Sequence, residues 1–138
     1  MVVVVFPDGS RVRAASILDR RADDPERAYG LYADLHWEPT WPADVIEWRD
    51  FGLPEDAELA ANQIADAFAR ARRGELVEVG CLGGCGRTGT VLACMAVLAG
   101  VAPSAAVAWV RSAYRAEAVE TREQEEWVQW FARWAAAS

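Results

Sequence analysis

The amino-acid sequence predicts an α/β protein in which a central mixed β-sheet is flanked by helices. A hairpin pattern at residues 2–14 indicates antiparallel strands, whereas an amphipathic segment at 55–73 joins two apolar runs, as a crossover helix does between parallel strands. Alternating strands and helices of this kind predict helices on both faces of the sheet. The 138 residues, 53% of them hydrophobic, suit one domain, residues 1–138, with a single core.

The N-terminal part, residues 1–28, combines a hairpin with a charged loop. A β-branched run at 2–6 and an alternating run at 11–14 are separated by a Pro-Asp-Gly-Ser turn, which is typical of a β-hairpin. Residues 19–28 are densely charged and are predicted to form solvated surface. The remainder, residues 29–138, is predicted to form the core of the domain.

Strands and helices alternate in this core. Strands are predicted at 29–35, 45–48 and 76–79, and helices at 55–73, 90–99, 103–115 and from 121 onward. A proline-broken loop with two tryptophans spans 37–42, and Gly100 closes the helix at 90–99. Thr121 and Gln124 have the spacing of a capping box at the start of the last helix. The apolar stripe of that helix is predicted to pack on the core: Trp127, Val128, Trp130, Phe131 and Trp134.

Composition excludes several classes of function. A formal net charge of −7 argues against nucleic acid or an anionic membrane as partner. No stretch approaches the roughly 20 apolar residues of a transmembrane helix, and the N-terminal valine run lacks the positive region of a signal peptide. His36 is the only histidine, and with only acidic neighbours at irregular spacing it is not expected to build a metal site. Three cysteines near one loop indicate a reduced, cytoplasmic protein with a reactive thiol.

The stretch from Cys81 to Thr88 carries the chemistry. A strand, a glycine-rich loop and a helix N-terminus form an anion site, because the loop amides point inward and the helix dipole adds partial positive charge. The same field stabilises a thiolate at Cys81. Arg87 offers a planar fork that matches two phosphate oxygens. A lone cysteine is usually a small buried hydrophobe, but cysteine, glycines, arginine and hydroxyl in this order indicate an anion-binding active site.

The Cys81-x5-Arg87-Thr88 stretch resembles the signature of the cysteine-dependent protein tyrosine and dual-specificity phosphatases, which is His-Cys-x5-Arg-Ser/Thr followed by Gly. Gly80 stands where that family usually has the histidine that orders the loop. The resemblance covers about residues 29–134, and the short chain looks more like the dual-specificity branch. Restoring a histidine at position 80 is expected to raise activity if the backbone accepts a side chain there.

A second segment resembles the acid loop of the same family, Trp-Pro-Asp-x-Gly-x-Pro. Trp48, Asp50, Gly52 and Pro54 match it, while Arg49 replaces the usual proline. Asp50 is therefore the candidate general acid, with a cap of the turn as the alternative reading. The segment 41–44 also contains tryptophan, proline and aspartate, but its Asp44 comes one residue late and no Gly-x-Pro follows.

The resemblance implies a phosphatase that hydrolyses phosphate monoesters through a phosphocysteine intermediate without metal or cofactor. The expected substrate is phosphotyrosine or another phosphoprotein, and a small phosphate ester such as a phosphoinositide, a nucleotide or a sugar phosphate stays open. Cys81 is the nucleophile, Thr88 donates to its sulfur, and Gln124 is either a helix cap or a contact of the attacking water. The phosphate oxygens are held by the loop residues: Leu82, Gly83, Gly84, Cys85, Gly86 and Arg87.

Two other functions stay open at this stage. A phosphatase-like module that binds phosphorylated ligands but turns over poorly is favoured by Gly80 and Arg49. A rhodanese or arsenate-reductase type of cysteine enzyme would also use an anion loop. Rhodanese-type loops lack a preceding acid loop, and the small arsenate reductases place their cysteine near the N-terminus rather than at residue 81.

Overall fold

The described residues of the protein form a five-stranded mixed sheet with four α-helices. The computed structural model describes residues 2–16, 29–35, 38–83 and 85–138. The strands are β1 Val2–Val5, β2 Arg11–Ser16, β3 Tyr29–Ala33, β4 Ala43–Ile46 and β5 Val77–Cys81. The helices are α1 Ala57–Arg72, α2 Gly86–Leu98, α3 Ala106–Ala113 and α4 Arg122–Ala136. The predicted charged loop at 19–28, His36 and Trp37 lie outside the described residues.

The sheet has the strand order β1-β2-β5-β3-β4. Strands β1 and β2 form the predicted antiparallel hairpin, and every other pair is parallel. The amphipathic helix α1 connects β4 at the edge to β5 in the centre, which is the crossover that parallel pairing requires. The prediction of a mixed-sheet α/β fold is thereby confirmed.

The apolar core lies between one face of the sheet and the helices. Inward positions of α1 predicted from its periodicity, such as Ile64 and Phe68, are buried. Helix α1 packs on α2, and α3 and α4 also pack on α2, so all four helices lie on the same face. The expectation of helices on both faces is therefore not met among the described residues.

The opposite face of the sheet is polar at its centre. The Tyr32 hydroxyl donates to Glu78 over 2.6 Å, and the Trp41 indole donates to the Tyr32 hydroxyl over 3.0 Å. Arg13 forms an ion pair with the fully buried Glu78 at 3.8 Å. These contacts compensate the cost of burying a carboxylate between two central strands.

Several element boundaries differ from the sequence prediction. Strand β3 ends at Ala33 and β4 at Ile46, earlier than predicted, while β5 extends to Cys81. The helix predicted at 103–115 is a short 3₁₀ turn, Pro103–Ala105, followed by α3. Proline at the first position of this turn suits it, because the missing N–H has no intrahelical partner there.

Candidate active site

Cys81 is the last residue of the central strand β5. In the parallel pairing it is level with Ser16 of β2 on one side and with Ala33 of β3 on the other. Its side chain is buried, with a relative exposure of 2%. The cysteine therefore lies at the carboxyl edge of the sheet, where α/β proteins commonly bind their ligands.

Helix α2 begins at Gly86, four residues before the predicted start. Arg87, Thr88 and Gly89 consequently belong to its first turn rather than to the loop. The N-cap residue Cys85 makes no side-chain cap hydrogen bond, so the first amides of α2 have no side-chain acceptor there. Gly84 lies outside the described residues.

The glycines of this first turn allow close packing against the segment that precedes α4. A Cβ at Gly89 would approach the Ala118 Cβ to 2.6 Å, and one at Gly86 would overlap the Glu120 carboxylate. Helix propensity disfavours glycine by about 1 kcal/mol, which is why these residues look like loop in the sequence. Tertiary contact with residues 118–120 nevertheless places both glycines in the helix.

Arg87 joins this turn to the predicted acid loop. Its guanidinium is 3% exposed and donates to the Trp48 carbonyl over 3.0 Å. Ion pairs extend from it to Asp50 at 3.7 Å and to Asp34 at 3.6 Å. The structure thus brings together Arg87, the segment that carries Asp50, and Asp34, which belongs to neither sequence motif.

Asp34 could have been found from its position. It follows β3 directly, and β3 is the immediate neighbour of β5. Side chains that follow adjacent parallel strands meet at one edge of the sheet. The strand order, however, is not evident from the sequence.

The segment around Asp50 is a short turn between paired residues. Trp48 pairs with Pro54 in an isolated bridge, and the buried Trp48 indole donates to the Gly52 carbonyl over 2.8 Å. The Asp50 side chain is 57% exposed, and its carboxylate accepts the Phe51 N–H over 3.1 Å. The turn therefore presents Asp50 to solvent beside Arg87.

Asp44 lies elsewhere. Its carboxylate accepts a hydrogen bond from the hydroxyl of Tyr29, at the opposite end of β3 from Cys81. Burial, and secondly this bond to Asp44, raise the pKa of Tyr29 well above its usual range. Asp44 is thus a partner of Tyr29 and is remote from the cysteine.

Ser16 is a further residue that the sequence did not reveal. Its hydroxyl donates to the Leu82 carbonyl over 2.6 Å, which ties the start of the loop to β2. Gly80 is packed tightly, because a Cβ there would lie 2.9 Å from the Ala15 carbonyl oxygen and 3.2 Å from the Tyr32 ring. The Tyr32 ring thus occupies the space beside Gly80.

The remaining predicted residues have distinct surroundings. The Thr88 hydroxyl is buried without a hydrogen-bond partner among the described residues. Gln124 is fully buried at the start of α4, and its amide oxygen accepts the Glu120 N–H over 2.8 Å. The capping box predicted this bond to the N–H of the N-cap residue Thr121, one residue later. Cys85 donates to the Glu117 carbonyl over 3.3 Å, and burial raises the pKa of its thiol.

Among residues 2–16, 29–35, 38–83 and 85–138, no cluster of three or more His, Cys, Asp and Glu side chains could hold a metal ion. Within the same part of the chain, no helix combines the length and the apolar composition needed to cross a membrane.

The sequence matches one described protein family over more than half of its length. The family described as "Swiss Army Knife protein, DSP-PTPase phosphatase domain" matches residues 49–128, more than half of the sequence. The protein belongs to this dual-specificity phosphatase family. The matched range includes Asp50, Cys81, Arg87, Thr88 and Gln124.

Two proteins of Methanocaldococcus jannaschii are related to this family member in sequence. The uncharacterized protein MJECL20 is 43% identical over 89 residues, and the uncharacterized protein MJ0215 is 40% identical over 89 residues. Each match covers 63% of this chain but only 57% and 53% of the relatives. The chain thus spans little more than half the length of these relatives.

Solved structures of phosphatases share the fold. Human DUSP28 has a TM-score of 0.75 at 16% identity, with 99% of both chains covered. Tk-PTP in its active form has a TM-score of 0.72 at 24% identity, with 94% of this chain and 96% of that chain covered. Kinase associated phosphatase, with its catalytic site cysteine substituted by serine, has a TM-score of 0.68 at 16% identity and covers 82% of this chain and 72% of its own.

Proposed function

We propose that this family member is a cysteine-based phosphatase of the protein tyrosine and dual-specificity type, which hydrolyses phosphate monoesters through a phosphocysteine intermediate. The observation that carries the proposal is the position of Arg87. Its buried guanidinium lies in the first turn of α2, close in sequence to Cys81, and bonds to the Trp48 carbonyl of the segment that carries Asp50. Arg87 thus connects the first turn of α2, the proposed anion site, to the segment that carries the proposed acid.

In the first step the Cys81 thiolate attacks phosphorus, and the bond from phosphorus to the ester oxygen breaks. The amides of residues 82–87 and the Arg87 fork hold the other phosphate oxygens while negative charge spreads over them. Asp50 donates its proton to the departing oxygen. The products are an alcohol or phenol and a thiophosphate ester on Cys81.

In the second step water attacks the phosphorus, and the bond from phosphorus to sulfur breaks. Asp50 accepts the proton of the water, so the acid of the first step is the base of the second. The Thr88 hydroxyl, which has no other hydrogen-bond partner among the described residues, donates to the departing sulfur. The cycle restores the thiolate without a metal or other cofactor.

Phosphotyrosine or another phosphoprotein is the proposed substrate class, with the whole chain acting as one catalytic domain. The three free thiols, Cys81, Cys85 and Cys94, support a reducing, cytoplasmic location. Kinase associated phosphatase, which shares the fold, has a catalytic site cysteine, and this supports Cys81 as nucleophile. A phosphate-binding module with weak turnover is the alternative that the experiment below excludes or supports.

The proposal is tested with Cys81→Ser. A serine hydroxyl is not ionised in this field, so turnover of an aryl phosphate is expected to disappear while inorganic phosphate still binds, as measured by calorimetry. Cys94→Ala, at a buried position within α2, is the matched control and should keep turnover. Residual activity of Cys81→Ser within tenfold of wild type contradicts the nucleophile assignment, and phosphate binding by an inactive wild type supports the binding module.

A further inference from the structure

Gln124 connects two segments that are distant in sequence. Its amide oxygen accepts the Glu120 N–H over 2.8 Å, and its amide nitrogen donates to the Gly52 carbonyl over 3.2 Å. The side chain is fully buried in the first turn of α4. Each polar end is therefore bonded to a backbone group, and one of these groups belongs to the turn that carries Asp50.

The Gly52 carbonyl is the anchor of that turn. It accepts hydrogen bonds from two buried side chains, Trp48 and Gln124. The Gly52 N–H in turn donates to the Arg49 carbonyl over 2.9 Å, which closes the turn around Asp50. Residues 49–51 are themselves exposed, so packing alone holds them weakly. Fixing the Gly52 carbonyl therefore fixes the position of Asp50.

The other partner of Gln124, Glu120, belongs to a segment that is held by hydrogen bonds and packing. Arg111 donates to the Ala118 and Val119 carbonyls over 2.9 and 2.8 Å. Ala118 packs directly on Gly89, in the same helical turn as Arg87. The segment 118–120 is thus held against the first turn of α2.

From these contacts we propose that Gln124 is a positioning residue, which holds the Asp50 turn at a set distance from Cys81 and Arg87. The role does not require contact between Gln124 and the attacking water. It rests on the proposed phosphatase function and adds the residue that orients the acid. Arg87 acts from the other side of the turn through the Trp48 carbonyl.

The test compares two substrates that differ in leaving group. Gln124→Met keeps the length of the side chain but cannot bond to either backbone group. Of these two bonds only the one to the Gly52 carbonyl reaches the Asp50 turn, and its loss is expected to slow phenyl phosphate by about threefold to tenfold. It should slow 4-nitrophenyl phosphate by less than about twofold, because nitrophenolate leaves with little protonation. In an Asp50→Ala background, Gln124→Met should have no further effect on either substrate.

Gln129→Met is a matched control on the same helix. The Gln129 side chain also donates to a backbone carbonyl, that of Pro103, over 2.8 Å, but it does not touch the Asp50 turn. This variant should lose a side-chain hydrogen bond to a backbone carbonyl, and the rates of the two substrates should not change relative to each other. If Gln124→Met does not fold in thermal melts, Gln124→Asn, whose side chain is too short to span both partners, decides the same comparison.

Three other outcomes overturn the inference. Equal slowing of both substrates that persists in the Asp50→Ala background shows that Gln124 acts independently of the acid. A pre-steady-state burst, followed by slow turnover that is equal for both substrates, assigns Gln124 to the attacking water. A lowered melting temperature with unchanged rates assigns it to structure alone. In each case loss of turnover in Cys81→Ser would still support the phosphatase, so the two failures are distinguishable.

Discussion

Two segments of this protein contain a tryptophan followed closely by an aspartate, and the fold uses them differently. In the first, the Trp41 indole donates to the Tyr32 hydroxyl and Asp44 accepts from Tyr29. In the second, the Trp48 indole donates to the carbonyl of Gly52, in its own turn, and Asp50 forms an ion pair with Arg87. Similar residues therefore support the sheet in one segment and approach the cysteine loop in the other.

The difference comes from the position of each aspartate relative to β4. Asp44 lies within this strand and is level with Leu31 of β3. Asp50 follows the last residue of the strand, Ile46, by four positions. The carboxyl ends of parallel strands meet at one edge, so only a residue beyond the strand end reaches the edge that holds Cys81. Register, and not local composition, separates the two aspartates.

The largest expected effect separates the two aspartates by activity. Asp50→Ala should slow phenyl phosphate by about 10²–10⁴-fold, the usual contribution of a general acid, and should slow 4-nitrophenyl phosphate much less. Asp44→Asn should leave both rates close to wild type, because its partner Tyr29 lies at the other end of β3. The measurement is kcat/KM for both substrates. A large loss in Asp44→Asn together with a small one in Asp50→Ala would reverse the assignment.

Sequence alone was sufficient for the elements whose pattern is local. The hairpin, the crossover helix α1 and the mixed sheet follow from periodicity. The residues that the periodicity of α1 places inward are all buried: Ala60, Ile64, Ala67, Phe68 and Ala71. Ser16 and Asp34 were missed, because their place beside the cysteine loop depends on the strand order. The start of α2 was also missed, because contacts with Ala118 and Glu120, distant in sequence, decide where the glycines lie.

A second prediction concerns Gly80, which packs against the Tyr32 ring. The hydroxyl of the same Tyr32 accepts the hydrogen bond from Trp41 of the first segment. A Cβ at this position would lie 2.9 Å from the Ala15 carbonyl oxygen of the neighbouring strand. Overpacking of this kind costs about 1–3 kcal/mol, so Gly80→Ala should lower the free energy of unfolding in urea. Gly80→His should be worse and should not raise activity.

Gly83→Ala is the matched control for Gly80. Apart from its chain neighbours, no atom of the described residues lies within 4 Å of a Cβ at Gly83, so the free energy of unfolding should change little. Equal unfolding midpoints for Gly80→Ala and wild type would mean that the sheet yields at this position. A histidine at position 80 could then be accommodated after all.

A third, smaller effect tests the role assigned to Asp44. Burial, and secondly Asp44, raise the pKa of Tyr29. The hydroxyl therefore stays neutral in the folded protein at a pH at which the same hydroxyl is ionised in the unfolded chain. The resulting stability is present below about pH 10 and is lost as the pH rises above it. Asp44→Asn should lower the pKa of Tyr29 and weaken this alkaline loss, as followed by urea unfolding between pH 9 and pH 11 (about the range in which free tyrosine titrates). An unchanged alkaline profile would show that burial acts alone.

The smallest expected effect concerns backbone strain in the second segment. Phe51 has φ +59, in the left-handed region, whereas no residue of 41–44 has a positive φ. A non-glycine residue there costs about 1–2 kcal/mol, and asparagine tolerates the region best. Phe51 is 60% exposed, so Phe51→Asn loses little packing and should raise the free energy of unfolding by up to about 1 kcal/mol.

Val119, with φ +63 but 1% exposure, provides the contrast: Val119→Asn should destabilise the protein because its buried contacts outweigh the relief of strain. A loss of stability in Phe51→Asn would mean that the exposed ring holds the Asp50 turn by contact, in addition to the bonds from Trp48 and Gln124.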